Sequence, residues 1–367
     1  RRQRNARRRR NRRIINKRIR MILVFGASYG VVVATKLMLA GYDVTCVCKS
    51  GEATLINNNG FFIEIPGYLN KKLNISSQKL PGKILATTPE NVNLDNTSLV
   101  FLAMQEAQYS DLSIKNLMIN IAKKKIPSIS IMNIPPSNYL KNFNLSNLNK
   151  IKALYKNYET WEKFDLNFLT HSSADPQVYK PDLKKTNYIN VRLASNFKIS
   201  NFKDSSSSNL LKKISANIKS SRLKIENTQI RIPINLNIYN SVYVPISKWP
   251  MLIAGNYRCI ESSGLISIKE ALFKNIEESR LIYNDVIKLC ILIGAEEKNL
   301  INFETYLKAA KNLTAPSSVA RAVHSGNQDF ERVDKLILFI AEDKGMEIHK
   351  LKEIVKNFDQ KSKLINN

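Results

Sequence analysis

The chain has 367 residues, 44% of them hydrophobic, and a formal charge of +27. That length and apolar content allow two domains with separate cores and exclude a chain that is disordered throughout. Four cysteines without CxxC spacing and three scattered histidines (His171, His324, His349) argue against a disulfide framework and a histidine-based metal site.

Residues 1–20 carry eleven arginines and one lysine with no acid, and only seven arginines occur after them. Removing those twelve charges from the formal +27 leaves +15 for the remainder. The break in composition marks 1–20 as an Arg-rich tail outside the folded unit, disordered or a start-site artefact with initiation at Met21. If the tail is real, its clustered guanidinium groups suit the phosphate backbone of a nucleic acid or an acidic membrane surface.

The next stretch, "ILVFGASYGVVVATKLMLAGYDVTCVC" (22–48), invites comparison with a secretory leader. Its apolar run stops at Gly26 and Lys36 interrupts the second apolar segment, so neither a leader nor a membrane span fits. The pattern predicts a buried strand, a turn, a helix closed by Gly41 and a second buried strand, which is a β–α–β unit of nucleotide-binding size. The loop departs from G-x-G-x-x-G: Gly26 is followed by Ala27, Ser28, Tyr29 and Gly30, so it is either substituted or one residue shorter. Ser28 and the helix N-terminus could still meet a phosphate. Lys49 ends the second strand where an acid would favour NAD, and it suits a 2′-phosphate instead.

"GFFIEIP" (60–66) and "GKILATT" (82–88) predict short strands in a connecting excursion. "SLVFLAMQ" (98–105) and "IPSISIMN" (126–133) predict buried strands ending in Gln105 and Asn133, on the rim where open parallel sheets bind ligands. Residues 135–151 have loop or linker character, 187–199 suggests one strand, "DSSSS" (204–208) a surface loop and 209–221 a helix. From about 240 the pattern is helical, with Ile282, Val286, Leu289 and Ile293 on one face and Gly294 closing that helix.

Lys248 stands among Val244, Ile246, Trp249, Met251 and Leu252, where lost solvation would suit it to proton transfer, or where its stem simply packs. Pro250 fits a first helical turn, and Lys248, Leu252 and Asn256 would share a face. Ser317 and Ser318 precede a helix, as caps or ligands, and Asp329 and Glu331 come after it.

The ordered set "ILVFGASYG…AGYDVTCVCK", "LVFLAMQEAQ", the strand ending in Asn133, "KWPMLIAGN" and "SSVARAVHSGNQDFERVDKL…KGM" resembles the ketopantoate reductase family (2-dehydropantoate 2-reductase) over about 21–355. The resemblance implies an α/β Rossmann-like parallel sheet followed by an all-helical domain like the C-terminal domain of 6-phosphogluconate dehydrogenase. It implies NADPH-dependent reduction of a small 2-oxo acid in the cytoplasm, with a homodimer possible and no membrane partner. The expected division is a tail (1–20), a Rossmann domain (21–205), a connecting region (206–240) and a helical substrate domain (241–367). By resemblance, Lys248 and Glu331 are catalytic, with Asp329 competing with Glu331, and Asn256 and Ser318 bind substrate. Gly26, Ala27, Ser28, Tyr29, Gly30, Lys49, Gln105 and Asn133 hold the cofactor. Leu252 replaces the nearer of the family's two substrate asparagines, and Gln105 stands where the family often has a lysine. Alternatives are an opine-dehydrogenase-like reductase, which needs a histidine–carboxylate pair, or a non-catalytic protein that senses a dinucleotide or binds nucleic acid.

Overall fold

A computed structural model describes residues 21–67, 72–173, 178–182, 184–192, 195–327 and 329–366. The Arg-rich tail lies outside them. The chain forms two compact units. The first holds the described residues up to Met104 with Asp111–Met132 and Glu162–Asn240. The second holds Gln105–Ser110, Asn133–Trp161 and the chain from Ser241.

The first unit is built on an eight-stranded sheet. Its strands are β1 (Met21–Phe25), β2 (Val44–Val47), β3 (Ile84–Thr87), β4 (Thr97–Leu102), β5 (Ser128–Met132), β6 (Leu169–Ser173), β7 (Ser195–Ser200) and β8 (Ile234–Tyr239). In space they run β8-β7-β6-β5-β4-β1-β2-β3, so the first six follow the dinucleotide-fold order 3-2-1-4-5-6. All six are parallel, whereas β7 is antiparallel to β6, and β8 runs parallel to β7. Every residue from Ile22 to Phe25 is fully buried, as a strand covered on both faces must be. Helices α1 (Tyr29–Leu39), α2 (Ser50–Asn59), α3 (Leu112–Lys123) and α4 (Ser205–Ser220) complete the unit. Val31–Ala34 and Leu37–Leu39 of α1, with Leu211, Ile214 and Ile218 of α4, join Ile22, Val24, Phe101 and Ile131 in one apolar core.

Three expectations change here. The stretch 187–199 is two strands in two sheets: Tyr188–Val191 joins a four-stranded sheet with Phe62–Pro66, and β7 joins the main one. "DSSSS" is a helix start, because the Asp204 carboxylate accepts from the Ser207 amide at 2.7 Å and caps α4. Residues 206–240, expected to connect, supply most of α4 and the whole of β8 to the first unit. The fully buried strand β6, "LTHSS", is largely polar, and two of its side chains bond laterally: Thr170 donates to the Ser200 carbonyl at 2.7 Å, and His171 Nδ1 lies 2.9 Å from Ser130 Oγ. Burial pushes His171 down to about 3, so it is neutral at physiological pH.

The second unit contains α5 (Trp249–Ala254), α6 (Ile268–Phe273), α7 (Ile276–Leu292), α8 (Phe303–Ala310), α9 (Ser318–His324), α10 (Val333–Asp343) and α11 (His349–Asn366). Side-chain caps start α6, α7, α8 and α9 at Ser267, Asn275, Asn302 and Ser317. Ile282, Val286 and Leu289 are buried along α7. Gly294, at φ +118°, ends that segment where a Cβ would lie 2.7 Å from the Tyr243 ring. Residues 135–151, which read as loop, form 3-10 turns at Ser137–Phe143 and at the start of Leu148–Leu154, and one helical turn follows at Tyr158–Trp161 within this unit. No helix among the described residues is long and apolar enough to cross a membrane.

Candidate active site

In the first unit, the strand order reverses between β1 and β4, the point at which such sheets bind dinucleotides. Gly26 follows β1 with φ +90°, and a Cβ there would lie 2.9 Å from the carbonyl oxygen of Ala103, just after β4. Only glycine satisfies both conditions. Helix α1 starts at Tyr29, and a Cβ on Gly30 would lie 2.7 Å from both the Phe25 carbonyl oxygen and Val24 Cγ1. Gly30 therefore lets the helix pack on the strand, the task of the third fingerprint glycine. Gly26 performs that of the first. Ser28 takes the second position as the N-cap of α1, and its side chain makes no capping hydrogen bond. The loop is thus both substituted and one residue shorter. Ala27 is buried, while Ser28 and Tyr29 are half-buried. With no acid in the first turn of α1, this cradle fits the pyrophosphate of a dinucleotide.

At the end of β2, Lys49 is exposed and caps α2, and its amide donates to Glu52 at 3.4 Å. The Glu52 carboxylate also pairs with Lys180. The Glu52 carboxylate, three residues beyond Lys49, is therefore already engaged.

In the second unit, Gln105, Asn133, Asn256, Ser318 and Glu331 line one recess, walled also by Leu252, Tyr257, Val319, Ala322 and Phe330. Its walls enclose about 380 Å³, open solvent included, and its interior has about 20 Å³ of free space, room for about one water. Five residues expected at the cofactor or substrate thus come together from four chain segments. Ser317 is the cap of α9, accepting from the Ala320 amide at 3.2 Å and donating to the Asn256 carbonyl at 2.7 Å. Its neighbour Ser318 is left to face the recess.

Glu331 is buried, and its carboxylate accepts three backbone amides: Glu106 at 3.1 Å, Asn133 at 3.0 Å and Ile134 at 3.3 Å. Burial pushes its pKa up to about 7 against the pull of those amides, with Glu106 adding to the rise. Tyr257 donates to the Glu331 carbonyl at 2.5 Å. Asp329, the competing acid, is exposed and sits 3.4 Å from Lys156. The Glu106 carboxylate in turn accepts from the amides of Lys156 (2.9 Å) and Asn157 (2.8 Å) and from Trp161 Nε1 (3.3 Å). Glu106 escaped the sequence reading; its only signal was an acid directly after a buried strand.

Lys248 is buried at 8% exposure. It closes a 3-10 turn and caps α5 instead of sitting within a helix, and it is not among the residues lining the recess. Helix α5 stops at Ala254, so Asn256 comes from the following 3-10 turn and still shares the recess with Leu252. Arg258 is committed elsewhere, to Ser279 at 2.7 Å and Glu278 at 3.0 Å. Among the described residues of the second unit, no buried histidine–carboxylate pair of the kind an opine-type enzyme needs is found. His349 and Glu347 lie 3.8 Å apart on the surface, and His324 is exposed.

No model of a protein family and no curated protein sequence matches this chain. Solved structures do. A PanE/ApbA family ketopantoate reductase from Ralstonia eutropha JMP134 superposes with a TM-score of 0.61 at 12% identity, covering 95% of this chain and 100% of that one. A 2-dehydropantoate 2-reductase from Methylococcus capsulatus gives 0.61 at 11% identity, covering 93% and 97%. A D-mandelate dehydrogenase, solved with NADH and anilino(oxo)acetate, gives 0.61 at 12% identity, covering 94% and 99%. The chain therefore has the fold of the ketopantoate reductases, as the order of its motifs implied.

Proposed function

We propose that the protein is an NADPH-dependent reductase of a small 2-oxo acid, closest in reaction to 2-dehydropantoate 2-reductase. The observation that carries this reading is the recess that gathers Gln105, Asn133, Asn256, Ser318 and Glu331. The glycine cradle at the β1–β4 reversal supports a dinucleotide, and exposed Lys49 supports a 2′-phosphate on it. When bound, the reduced nicotinamide supplies a hydride to the substrate's carbonyl carbon. Lys248, buried four residues before the recess-lining Leu252 but not itself in the lining, is assigned by resemblance alone the role of giving the carbonyl oxygen a proton and stabilising the charge that develops there. Asn256 and Ser318 hold the substrate carboxylate by hydrogen bonds. Glu331 fixes the backbone of Asn133, so its part is positioning as much as proton chemistry.

The test is a spectrophotometric screen of the full chain with NADPH and NADH against a panel of 2-oxo acids. The reading expects oxidation of NADPH, faster than that of NADH, with at least one acid of five or six carbons. Absence of turnover with every acid and both coenzymes overturns it.

A further inference from the structure

We infer that the second unit holds a binding site for a small monocarboxylate with a hydrocarbon body, in a cleft separate from the recess, with Lys361 taking the carboxylate. The cleft lies among α7, α11, the turn Asn256–Arg258 and the strand Ile260–Glu261. It shares only Tyr257 with the recess, and none of its other residues enters the proposed reduction. It offers about 220 Å³ of free space. A cavity of about 150 Å³ already takes a benzene ring. Its apolar lining comes from Ile260, Ile282, Ile354 and Phe358, all of them buried. Phe358 is held edge-on between Tyr257 and Phe330, with ring centroids 5.1 Å and 5.7 Å away, so the aromatic part of that lining is preformed.

The charged lining leaves one cation over. Arg258 pairs with Glu278 at 3.0 Å, and Lys350 with Glu278 at 3.1 Å and Glu353 at 2.9 Å. Glu261 is held at 2.7 Å by Lys274, which lies outside the lining. Three acids are thus answered by three cations, and Lys361 is the fourth. Its ammonium donates to the Ile260 carbonyl and, among the described residues, pairs with no carboxylate. Burial lowers its pKa, with Glu261 opposing the fall and Lys274 adding to it. The ammonium has therefore given up hydration without gaining a counterion. One negative charge at Lys361 balances the cleft, and a hydrocarbon body covers its apolar lining. A dianionic phosphate would bring a second charge that the paired cations do not answer.

The probe is phenylacetate, with neutral phenylacetamide and inorganic phosphate beside it, titrated calorimetrically into the full chain at neutral pH without coenzyme. Phenylacetate is expected to bind with a dissociation constant of about 1 mM or tighter, and the other two at least about 10-fold more weakly. Lys361→Met is expected to weaken phenylacetate at least about 10-fold. A second measurement needs no variant to fold: acetic anhydride labelling read by mass spectrometry. At about ten times its dissociation constant, phenylacetate should slow acetylation of Lys361 about 10-fold. Absence of phenylacetate binding overturns the proposal, as does amide or phosphate binding of equal strength. Labelling of Lys361 that phenylacetate leaves unchanged also overturns it, as does unchanged affinity of a folded Lys361→Met. None of these readouts involves turnover, so their failure leaves the reductase reading intact.

Discussion

Lys36 is a fully buried lysine on α1, and its ammonium lies 3.4 Å from the Ile232 carbonyl oxygen. Burial pushes its pKa down from 10.5 to about 8, and the cations Arg222 and Arg231 push in the same direction. At about 1.4 kcal/mol per pH unit, the protonated form costs the fold roughly 3 kcal/mol. Below pH 8 both folded and unfolded chains hold the proton and that cost is complete. Between pH 8 and 10.5 the folded chain sheds the proton while the unfolded chain keeps it, so stability rises with pH. Above 10.5 the cost has gone. Lys36→Met, similar in length and uncharged, is therefore expected to stabilise the first unit by about 1–3 kcal/mol at pH 7, with the advantage shrinking toward pH 10. The assay is urea unfolding followed by far-ultraviolet circular dichroism at pH 7 and pH 10. Tryptophan fluorescence would report the wrong part, since Trp161 and Trp249 both belong to the second unit. Destabilisation at pH 7, or a gain that does not change with pH, would refute the reasoning.

Three further outcomes are expected. Lys248→Ala should lower turnover by about 10²–10⁴-fold while NADPH affinity, read by fluorescence titration, changes less than about 3-fold; unchanged turnover removes Lys248 from the chemistry. Gly30→Ala should push α1 off β1, because its Cβ would sit 2.7 Å from backbone and side chain, costing about 1–3 kcal/mol and raising the NADPH dissociation constant at least about 10-fold; unaltered NADPH binding would contradict the packing role assigned to Gly30. Glu331 has its pKa raised from 4.5 to about 7, so the folded chain takes up this proton first as pH falls. Its contribution to stability should be greatest below about pH 4.5, decline between 4.5 and 7, and stay low above 7. Glu331→Gln should remove that pH dependence in thermal unfolding monitored by Trp161 and Trp249 fluorescence; a variant that keeps it would assign the titration to another group.

Much of the first unit is legible because its strands are covered on both faces. Ile22–Phe25 and Leu99–Leu102 read as continuous apolar runs and Val44–Cys48 as one broken only by Thr45, and the glycines that punctuate them hold backbones a Cβ would strain or displace. The polar strand β6 is illegible for the opposite reason. Its serines, threonine and histidine do not read as a buried strand, and what makes them one is parallel backbone pairing with β5, supported by the bonds of Thr170 to the Ser200 carbonyl and of His171 to Ser130. Residues 187–199 misled because propensity marks extended chain without saying which sheet receives it. In the recess, residue identities came through resemblance in order, whereas the separation of Ser317 as cap from Ser318 as lining residue depends on where the helix begins.

The placement of residues 105–110 and 133–161 in the second unit shows what no residue pattern could have announced. Each segment directly follows a strand of the first unit, β4 or β5, and sequence alone groups it with that sheet. What claims both is one carboxylate: Glu331 accepts the amides of Glu106, Asn133 and Ile134, and Glu106 then accepts those of Lys156 and Asn157. Acid-to-amide bonding requires no complementary side chain, so any residue except proline can serve as the donor. The same bonds settle the chemistry available to Glu331. A carboxylate spread over three amides holds Asn133 in position whatever its own proton does, and so removing those oxygens should disturb the recess before it disturbs any proton transfer.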